Sequence, residues 1–316
     1  MARMGERDVQ VVTGAFGYTG KYITERLLSM GRSVRTLTGH PERPNPFGDR
    51  IDVARFDFED RAKLAEHLAG ASTLYNTYWV RFPRGEVTFD RAVRNTETLI
   101  DAAKEAGVRR LVHVSITNPS EDSPFAYFRG KAAIERMIHG SGLSYAIVRP
   151  TVIFGKEDIL LNNIAFVLRR FPFFGIPGSG GYRVRPVSVE DLAELCVEVG
   201  QGGENVVTDA VGPETFTFEQ LVRMIAAEVG SRARIVHVPV SVALSAAKLI
   251  GSVMRDVVVT KDELEGLMAN LVVTDGPATG QRRLSDWLTD NASTVGRTYA
   301  SEVSRHSAPP RQAASS

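Results

Sequence analysis

Short β-branched runs alternate with longer amphipathic stretches through the first half of the chain. Val9–Thr13 reads as a buried strand, and Lys21–Met30 as a helix with Ile23, Leu27 and Leu28 on its apolar face. Further strands are predicted at Ser33–Thr38, Ile51–Phe56, Thr73–Thr77, Arg110–Ser115 and Ser144–Arg149. Between them lie predicted helices at Ala62–Leu68, Phe89–Ala106 and Tyr127–His139, closed by Gly70, Gly107 and Gly140. Strand and helix alternating at this spacing call for parallel pairing through right-handed crossovers. The predicted fold class is α/β, a doubly wound parallel sheet.

Beyond Pro150 the rhythm breaks. The stretch from Phe171 to Gly181 is dense in Gly and Pro and reads as a loop. Asp191 is placed to cap a helix running to Val199, with Leu192, Leu195 and Cys196 on its apolar face. Thr217 and Gln220 form a capping-box pattern opening a helix at Phe218–Val229. Val242, Leu244, Leu249, Ile250 and Val253 recur at helical spacing and read as domain core. The alternative, a partner or membrane-surface face, is disfavoured by the few lysines and arginines in that stretch. The predicted organisation is a dinucleotide-binding core over 8–155 with returning segments near 182–210. A smaller lobe takes 156–181 and 211–300, and a disordered tail 301–316.

The 316 residues carry 38 Lys and Arg against 37 Asp and Glu, a formal charge of +1. No strong global field therefore attracts DNA, RNA or an anionic membrane. The single cysteine, Cys196, excludes an internal disulfide and a cysteine-based zinc cluster, and none of the six histidines forms an HExxH pair, so no metal site is expected. The most apolar C-terminal stretch, Val240 to Thr260, is broken by Lys248, Arg255 and Asp256, which argues against an integral membrane segment. These features predict a cytoplasmic protein; they do not bear on oligomeric state.

Chemistry enters at the first strand–helix junction. Gly14, Gly17 and Gly20 punctuate the segment Thr13–Gly20, with Phe16, Tyr18 and Thr19 between them. Glycines there permit a tight turn, approach of the backbone to a pyrophosphate and close helix–strand packing, while the helix N-terminus offers N–H groups to the anion. The second strand ends without a carboxylate at its tip, and Thr38, His40 and Arg43 are placed to surround a 2′-phosphate; NADP(H) is favoured over NAD(H). Asp57 and Phe58 follow the third strand, at the adenine end. Tyr127 and Lys131 lie four apart on a predicted helix and share a face. A lysine ammonium there would lower the tyrosine pKa toward neutrality and hydrogen-bond the nicotinamide ribose. Ser115 ends the fifth strand, where open α/β sheets bind ligands.

Together these residues resemble the short-chain dehydrogenase/reductase superfamily, with its Rossmann-type sheet. The glycine spacing is similar to that of its extended and atypical branches. Val112–Ser115, Tyr127 with Lys131, Arg149–Gly155 and Pro186–Asp191 match further motifs, and Gly212–Glu214 resembles the atypical group related to the 39-kDa NAD(P)H-binding subunit of respiratory complex I. The resemblance implies that Gly14, Gly17 and Gly20 bind pyrophosphate and that Ser115, Tyr127 and Lys131 are a catalytic trio. It further implies that Asn76 and Thr77 border the cofactor and that Pro150, Thr151, Val152 and Ile153 border the nicotinamide. Two departures stand out. The fourth strand runs into Tyr75–Trp79 rather than a small-residue segment, and Ala92 replaces an asparagine in the long helix.

Trp79, Tyr182, Arg183 and Arg185 are candidate substrate residues, an aromatic and guanidinium lining suited to a quinone, phosphorylated or nucleotide-linked compound. The leading expectation is an NADP(H)-dependent oxidoreductase acting on a carbonyl or alcohol, with Tyr127 as general acid/base. A sugar-nucleotide epimerase, or an NAD(P)H-binding sensor or structural subunit without turnover, would use the same cofactor site.

Overall fold

The computed structural model describes residues 8–83 and 85–301. Its central sheet has seven strands: β1 (Val9–Thr13), β2 (Ser33–Thr38), β3 (Ile51–Arg55), β4 (Ala71–Asn76), β5 (Arg110–Val114), β6 (Ser144–Pro150) and β7 (Val206–Ala210). Their spatial order is 7-6-5-4-1-2-3, and each neighbouring pair is parallel. The helices of the chain include α1 (Tyr18–Ser29), α2 (Arg61–Leu68), α3 (Phe89–Glu105), α4 (Ala126–Gly140), α5 (Leu160–Arg170), α6 (Val189–Gln201), α7 (Phe218–Glu228) and α8 (Val240–Met254).

The central strands are buried on both faces, so they read as continuous apolar runs rather than alternating ones. One layer of core, around Ile23, Leu27, Val112, Leu192 and Cys196, is covered by α1 and α6. The opposite layer, around Leu64, Leu99, Leu111, Ile134 and Ile138, is covered by α2, α3 and α4. This is the doubly wound arrangement expected from the sequence. The strand order reverses at β1, which lies between β2 and β4. The loops leaving β1 and β4 therefore run to opposite faces and open a crevice at the carboxyl edge.

The chain divides into two compact units. Among the described residues, the first comprises 8–155, 183–215 and 266–284; the second comprises 156–182, 216–265 and 285–301. Residues 266–284, read from the sequence as part of the smaller lobe, join the first unit. Asp191 holds them there: its Oδ2 accepts the backbone N–H groups of Gln281 and Arg282 at 2.9 and 2.8 Å, and its carboxylate pairs with the Arg282 guanidinium. Asp191 is thus no cap. Helix α6 starts two residues earlier, capped by Ser188 Oγ, which accepts from the N–H groups of Glu190 and Asp191.

In the second unit, Phe173–Pro177 forms a strand paired in parallel with Arg234–Val238, where a loop was expected. Gly175 sits in that pairing directly opposite Val236. The Thr217–Gln220 capping box forms as predicted, with Gln220 N–H on Thr217 Oγ1 at 3.1 Å and Thr217 N–H on Gln220 Oε1 at 2.8 Å. The tail expected to be disordered lies, from residue 302 onward, outside the described residues.

The first glycine loop depends on contact too close for a side chain. Gly14 has φ +68°, and a Cβ on Gly20 would lie 2.3 Å from the Gly14 carbonyl oxygen. Gly20→Ala must therefore push α1 away from the end of β1. We expect a loss of roughly 1–3 kcal/mol in urea unfolding, together with weakened dinucleotide binding. Gly31→Ala does not probe packing, because no atom lies within 4 Å of its ideal Cβ; its cost comes from φ alone.

Candidate functional site

The loop after β1 is joined to the segment after β4 by one side chain. Thr13 Oγ1 accepts the N–H groups of Thr77 and Tyr78 at 2.8 and 3.1 Å, and Thr77 Oγ1 donates to the Thr13 carbonyl at 2.6 Å. Asn76 is fully buried; its side chain contacts Thr13 and meets His113 Nδ1 at 3.1 Å. Burial, with the Lys131 charge nearby, pushes His113 well below its ordinary pKa and keeps the ring neutral. Asn76 and Thr77 thus border the crevice, but their side chains are committed to shaping it. Thr13 and His113 were not singled out from sequence.

Across the crevice, α1 begins at Tyr18 with Gly17 as its N-cap. No side chain caps it, and its first turn contains no acidic residue. Its N-terminal N–H groups and positive dipole end suit an anion. Together with the close approach at Gly14 and Gly20, these features fit a pyrophosphate. Phe16 packs against the core below the loop, and the rings of Tyr18 and Tyr22 meet edge to face.

At the end of β2, the buried Thr38 accepts the His40 backbone N–H at 3.1 Å. His40 Nδ1 lies 3.3 Å from Glu42 Oε1, so a carboxylate reaches this region from beyond the strand tip. Arg43 is half-buried in the same turn. Asp57 Oδ1 accepts the Glu59 N–H, while Phe58 packs with Phe56 and Tyr78 at centroid separations of 4.2 and 4.8 Å. Tyr78, in place of a small residue, makes this end of the crevice aromatic; Asn95 donates to its hydroxyl at 2.8 Å.

Helix α4 carries Tyr127 and Lys131. Phe128, Lys131, Ile134, Glu135 and Ile138 form its buried face, so two charged residues stand on a core stripe. Trp79 links the pair: its ring meets Tyr127 edge-on at 5.6 Å and lies 4.8 Å below Lys131 Nζ. Phe89 stacks on the indole at 5.7 Å and also meets Tyr127 edge-on. The indole fills the space over Gly130, where a Cβ would lie 2.7 Å from it. Lys131 donates to the Val114 carbonyl at 2.8 Å, and burial pushes its pKa down to about 7 against the opposing pull of Glu135.

Ser115 is engaged differently from expectation. Its hydroxyl donates to Glu135 Oε1 at 2.5 Å, and the same carboxylate is held by the Arg149 guanidinium. Glu135 was not a sequence candidate; its signal was a second charge, four residues after Lys131, on the apolar face of a helix. Beyond β6, Thr151 is buried with its hydroxyl on the Arg185 carbonyl at 2.5 Å. Pro150 closes the strand, Val152 accepts the Val187 N–H through its carbonyl, and Ile153 packs on the core.

Three proposed substrate residues are held elsewhere. Arg185 donates to the carbonyls of Gly212, Thr274 and Gly276 because a guanidinium can satisfy several acceptors at once. Arg183 forms an exposed ion pair with Asp275. Tyr182 is buried in the second unit, stacked on Phe218. Of the four, Trp79 alone meets Tyr127 and Lys131 among the described contacts.

With this geometry in place, comparison with known proteins gives a direct match: residues 14–201 match the NAD(P)H-binding family. The chain belongs to that family. This NAD(P)H-binding protein is 28% identical over 250 residues to NADH dehydrogenase (ubiquinone) 1 alpha subcomplex subunit 9, a mitochondrial protein of Arabidopsis thaliana. The match covers 76% of this chain but 62% of that relative, less than two thirds of its length. It is 29% identical over 276 residues to a 4-hydroxy-2-methyl-3-oxo-4-farnesyl-3,4-dihydroquinoline-1-oxide ketoreductase of Stigmatella aurantiaca, covering 78% of this chain and 81% of that one. Its fold superimposes on an NADPH-dependent quinone oxidoreductase of Escherichia coli complexed with NADPH, with TM-score 0.72 and 20% identity, over 90% of this chain and 98% of the other.

The depressed lysine has a measurable consequence. Its folded pKa lies below its unfolded value of about 10.4, so the unfolded chain binds more protons between pH 7 and 10 and stability rises with pH across that window. Lys131→Met removes this dependence. We expect the variant to be more stable than the parent at pH 6 by roughly 1–3 kcal/mol, after allowing for the lost bond to Val114. Urea titrations should show the advantage shrinking as pH rises from 7 toward 10.

Proposed function

We propose that this protein is an NADP(H)-dependent reductase that converts a ring carbonyl to an alcohol, with Tyr127 as its general acid. The observation that carries the reading is that Tyr127 and Lys131 meet one indole, Trp79. They do so beyond the carboxyl edge of a sheet whose switch point holds the glycine loop. Bound in that crevice, the reduced nicotinamide supplies a hydride to the carbonyl carbon. Tyr127 gives its phenolic proton to the carbonyl oxygen, so the alcohol forms without a free alkoxide. Lys131, when protonated, stabilises the resulting phenolate and donates to the ribose.

Ser115, with its hydrogen donated to Glu135, offers the substrate a lone pair rather than a proton. It suits the alcohol form better than the carbonyl. Glu135 and Arg149 position Ser115 and the buried side of α4. The stacked Trp79 and Phe89 favour a flat ring beside Tyr127. Two of the similar proteins are named for carbonyl groups on such rings, a 3-oxo dihydroquinoline and a quinone. For the cofactor, Arg43 and His40 are the proposed partners of the 2′-phosphate. Gly14, Gly17 and Gly20 hold the pyrophosphate, Phe58 the adenine, and Pro150–Ile153 the edge of the nicotinamide.

A second reading has its own support: the Arabidopsis relative is a subunit of a larger assembly, and the present chain could bind NAD(P)H without turnover. Isotope transfer separates the two. NADPH deuterated at C4 is incubated with quinones and cyclic ketones, and products are read by mass spectrometry. The reductase reading expects label in one product, lost at least a hundredfold in Tyr127→Phe while NADPH affinity stays within about threefold. Binding with no transfer to any of these acceptors supports the subunit reading. Arg43→Ala should weaken NADPH about tenfold and leave NADH unchanged; equal losses for both would overturn the NADP preference.

A further inference from the structure

The second unit carries an apolar surface that is left uncovered. Helix α8 has a single ionisable side chain, Lys248, and its one buried residue is Gly251. Val242, Leu249 and Val253 are 50%, 69% and 75% exposed. Seven and eleven positions apart, they fall on one stripe of the helix. The sequence reading placed Val242, Leu244, Leu249, Ile250 and Val253 in the core; Leu244 and Ile250 are half-buried, with Ala243, Ala247 and Met254, while Val242, Leu249 and Val253 are exposed.

Helix α8 packs against the strand Phe173–Pro177. In the register of that ribbon Phe173 stands beside Arg234, and Gly175 beside Val236. Paired residues on neighbouring strands point to the same side, so Phe173, Arg234 and Val236 share a face. Phe173 is 56% exposed, and Phe171 and Val236 are exposed as well.

The chain that builds this surface is locally basic, with Glu219 beside His237 and Asp256 after α8 as the acids at its margin. Between Glu228 and Asp256 the chain has no acid but carries Arg232, Arg234, Lys248 and Arg255. Among the described residues, Arg232, Arg234, Lys248 and Arg255 make no ion pair. The cations scarce within α8 are supplied by the strand and helix ends folded beside it.

We infer that this face docks on an anionic lipid bilayer, with the α8 stripe and Phe173 entering the headgroup boundary and the cations meeting lipid phosphates. Lipid demands no directional partner, and the exposed side chains of the stripe offer none. A second copy of the chain fits poorly, since a two-fold contact would set these cations against themselves. Residues 302–316 fit no better: they contain one large aliphatic side chain, Val303, and more arginine than acid. At fifteen residues α8 is about 22 Å long, short of the roughly 30 Å hydrocarbon core, so it lies along the surface. None of the described helices is long and apolar enough to cross a membrane.

Vesicle flotation tests this without reference to turnover. The full chain is mixed with vesicles of phosphatidylcholine alone, or with about one-third phosphatidylglycerol, at about 0.1 and 0.5 M salt. We expect at least tenfold stronger partitioning to the anionic vesicles, reduced by the higher salt. Leu249→Glu with Val253→Glu, and separately Arg234→Glu with Lys248→Glu, should each reduce it at least tenfold. Both pairs are exposed, and unchanged thermal unfolding and NADPH affinity report an intact fold. Failure to float with any vesicle overturns the inference, as does flotation unaffected by either pair. A dimer in lipid-free solution that dissociates on Leu249→Glu would overturn it in favour of self-association.

Discussion

A buried hydroxyl, that of Thr13, ties together the two loops that bound the cofactor crevice. Parallel pairing of β1 with β4 brings the strand ends together, but the chain must then diverge, one loop to each face of the sheet. Divergence strips both loops of ladder partners just where backbone groups are buried. Thr13 restores them, taking two N–H groups from the β4 side while its own carbonyl receives Thr77. The glycine loop thereby gains a fixed floor, and the segment that carries Tyr78 and Trp79 gains a fixed starting direction. Both aromatic clusters inherit their placement from this link.

The second organising feature is the line of charge along the buried face of α4. Lys131 and Glu135 are embedded in a helix–sheet interface, one satisfied by the Val114 carbonyl, the other by Ser115 and Arg149. Burying an ammonium is costly, and the cost appears as the fall of Lys131 to about pKa 7. Such an arrangement is ill suited to maximal stability. Arg149, only partly covered, keeps the Glu135 charge from adding a second uncompensated burden.

Much of this was legible in the sequence where local and global preferences agree. Six of the seven strands of the sheet and the helices between them fall within a few residues of their predicted positions, since a doubly covered parallel sheet writes itself as apolar runs separated by amphipathic ones; the edge strand β7, half-exposed, was not predicted. The Thr217–Gln220 box was readable because both partners sit within one turn. What escaped were side chains with two available uses. Asp191 has the composition of a cap but serves a segment ninety residues away, and Ser188 takes its place. Arg185 looked like a ligand for an anion and instead gathers carbonyls. The apolar stripe of α8 has the periodicity of a core helix, and periodicity does not say whether anything lies opposite. Glu135 was visible only as an anomaly, a charge where the helix pattern asks for an apolar side chain.

The first unit is assembled from three stretches of chain, the last of them residues 266–284. That order has a consequence for synthesis. A nascent chain emerging from the ribosome can form β1 to β6 early, yet the carboxylate of Asp191 stays without its backbone partners until Gln281 and Arg282 have been made. Arg185 likewise waits for the carbonyls of Thr274 and Gly276. The nucleotide-binding unit is thus begun first but completed only after two stretches of the second unit, 156–182 and 216–265, have been translated.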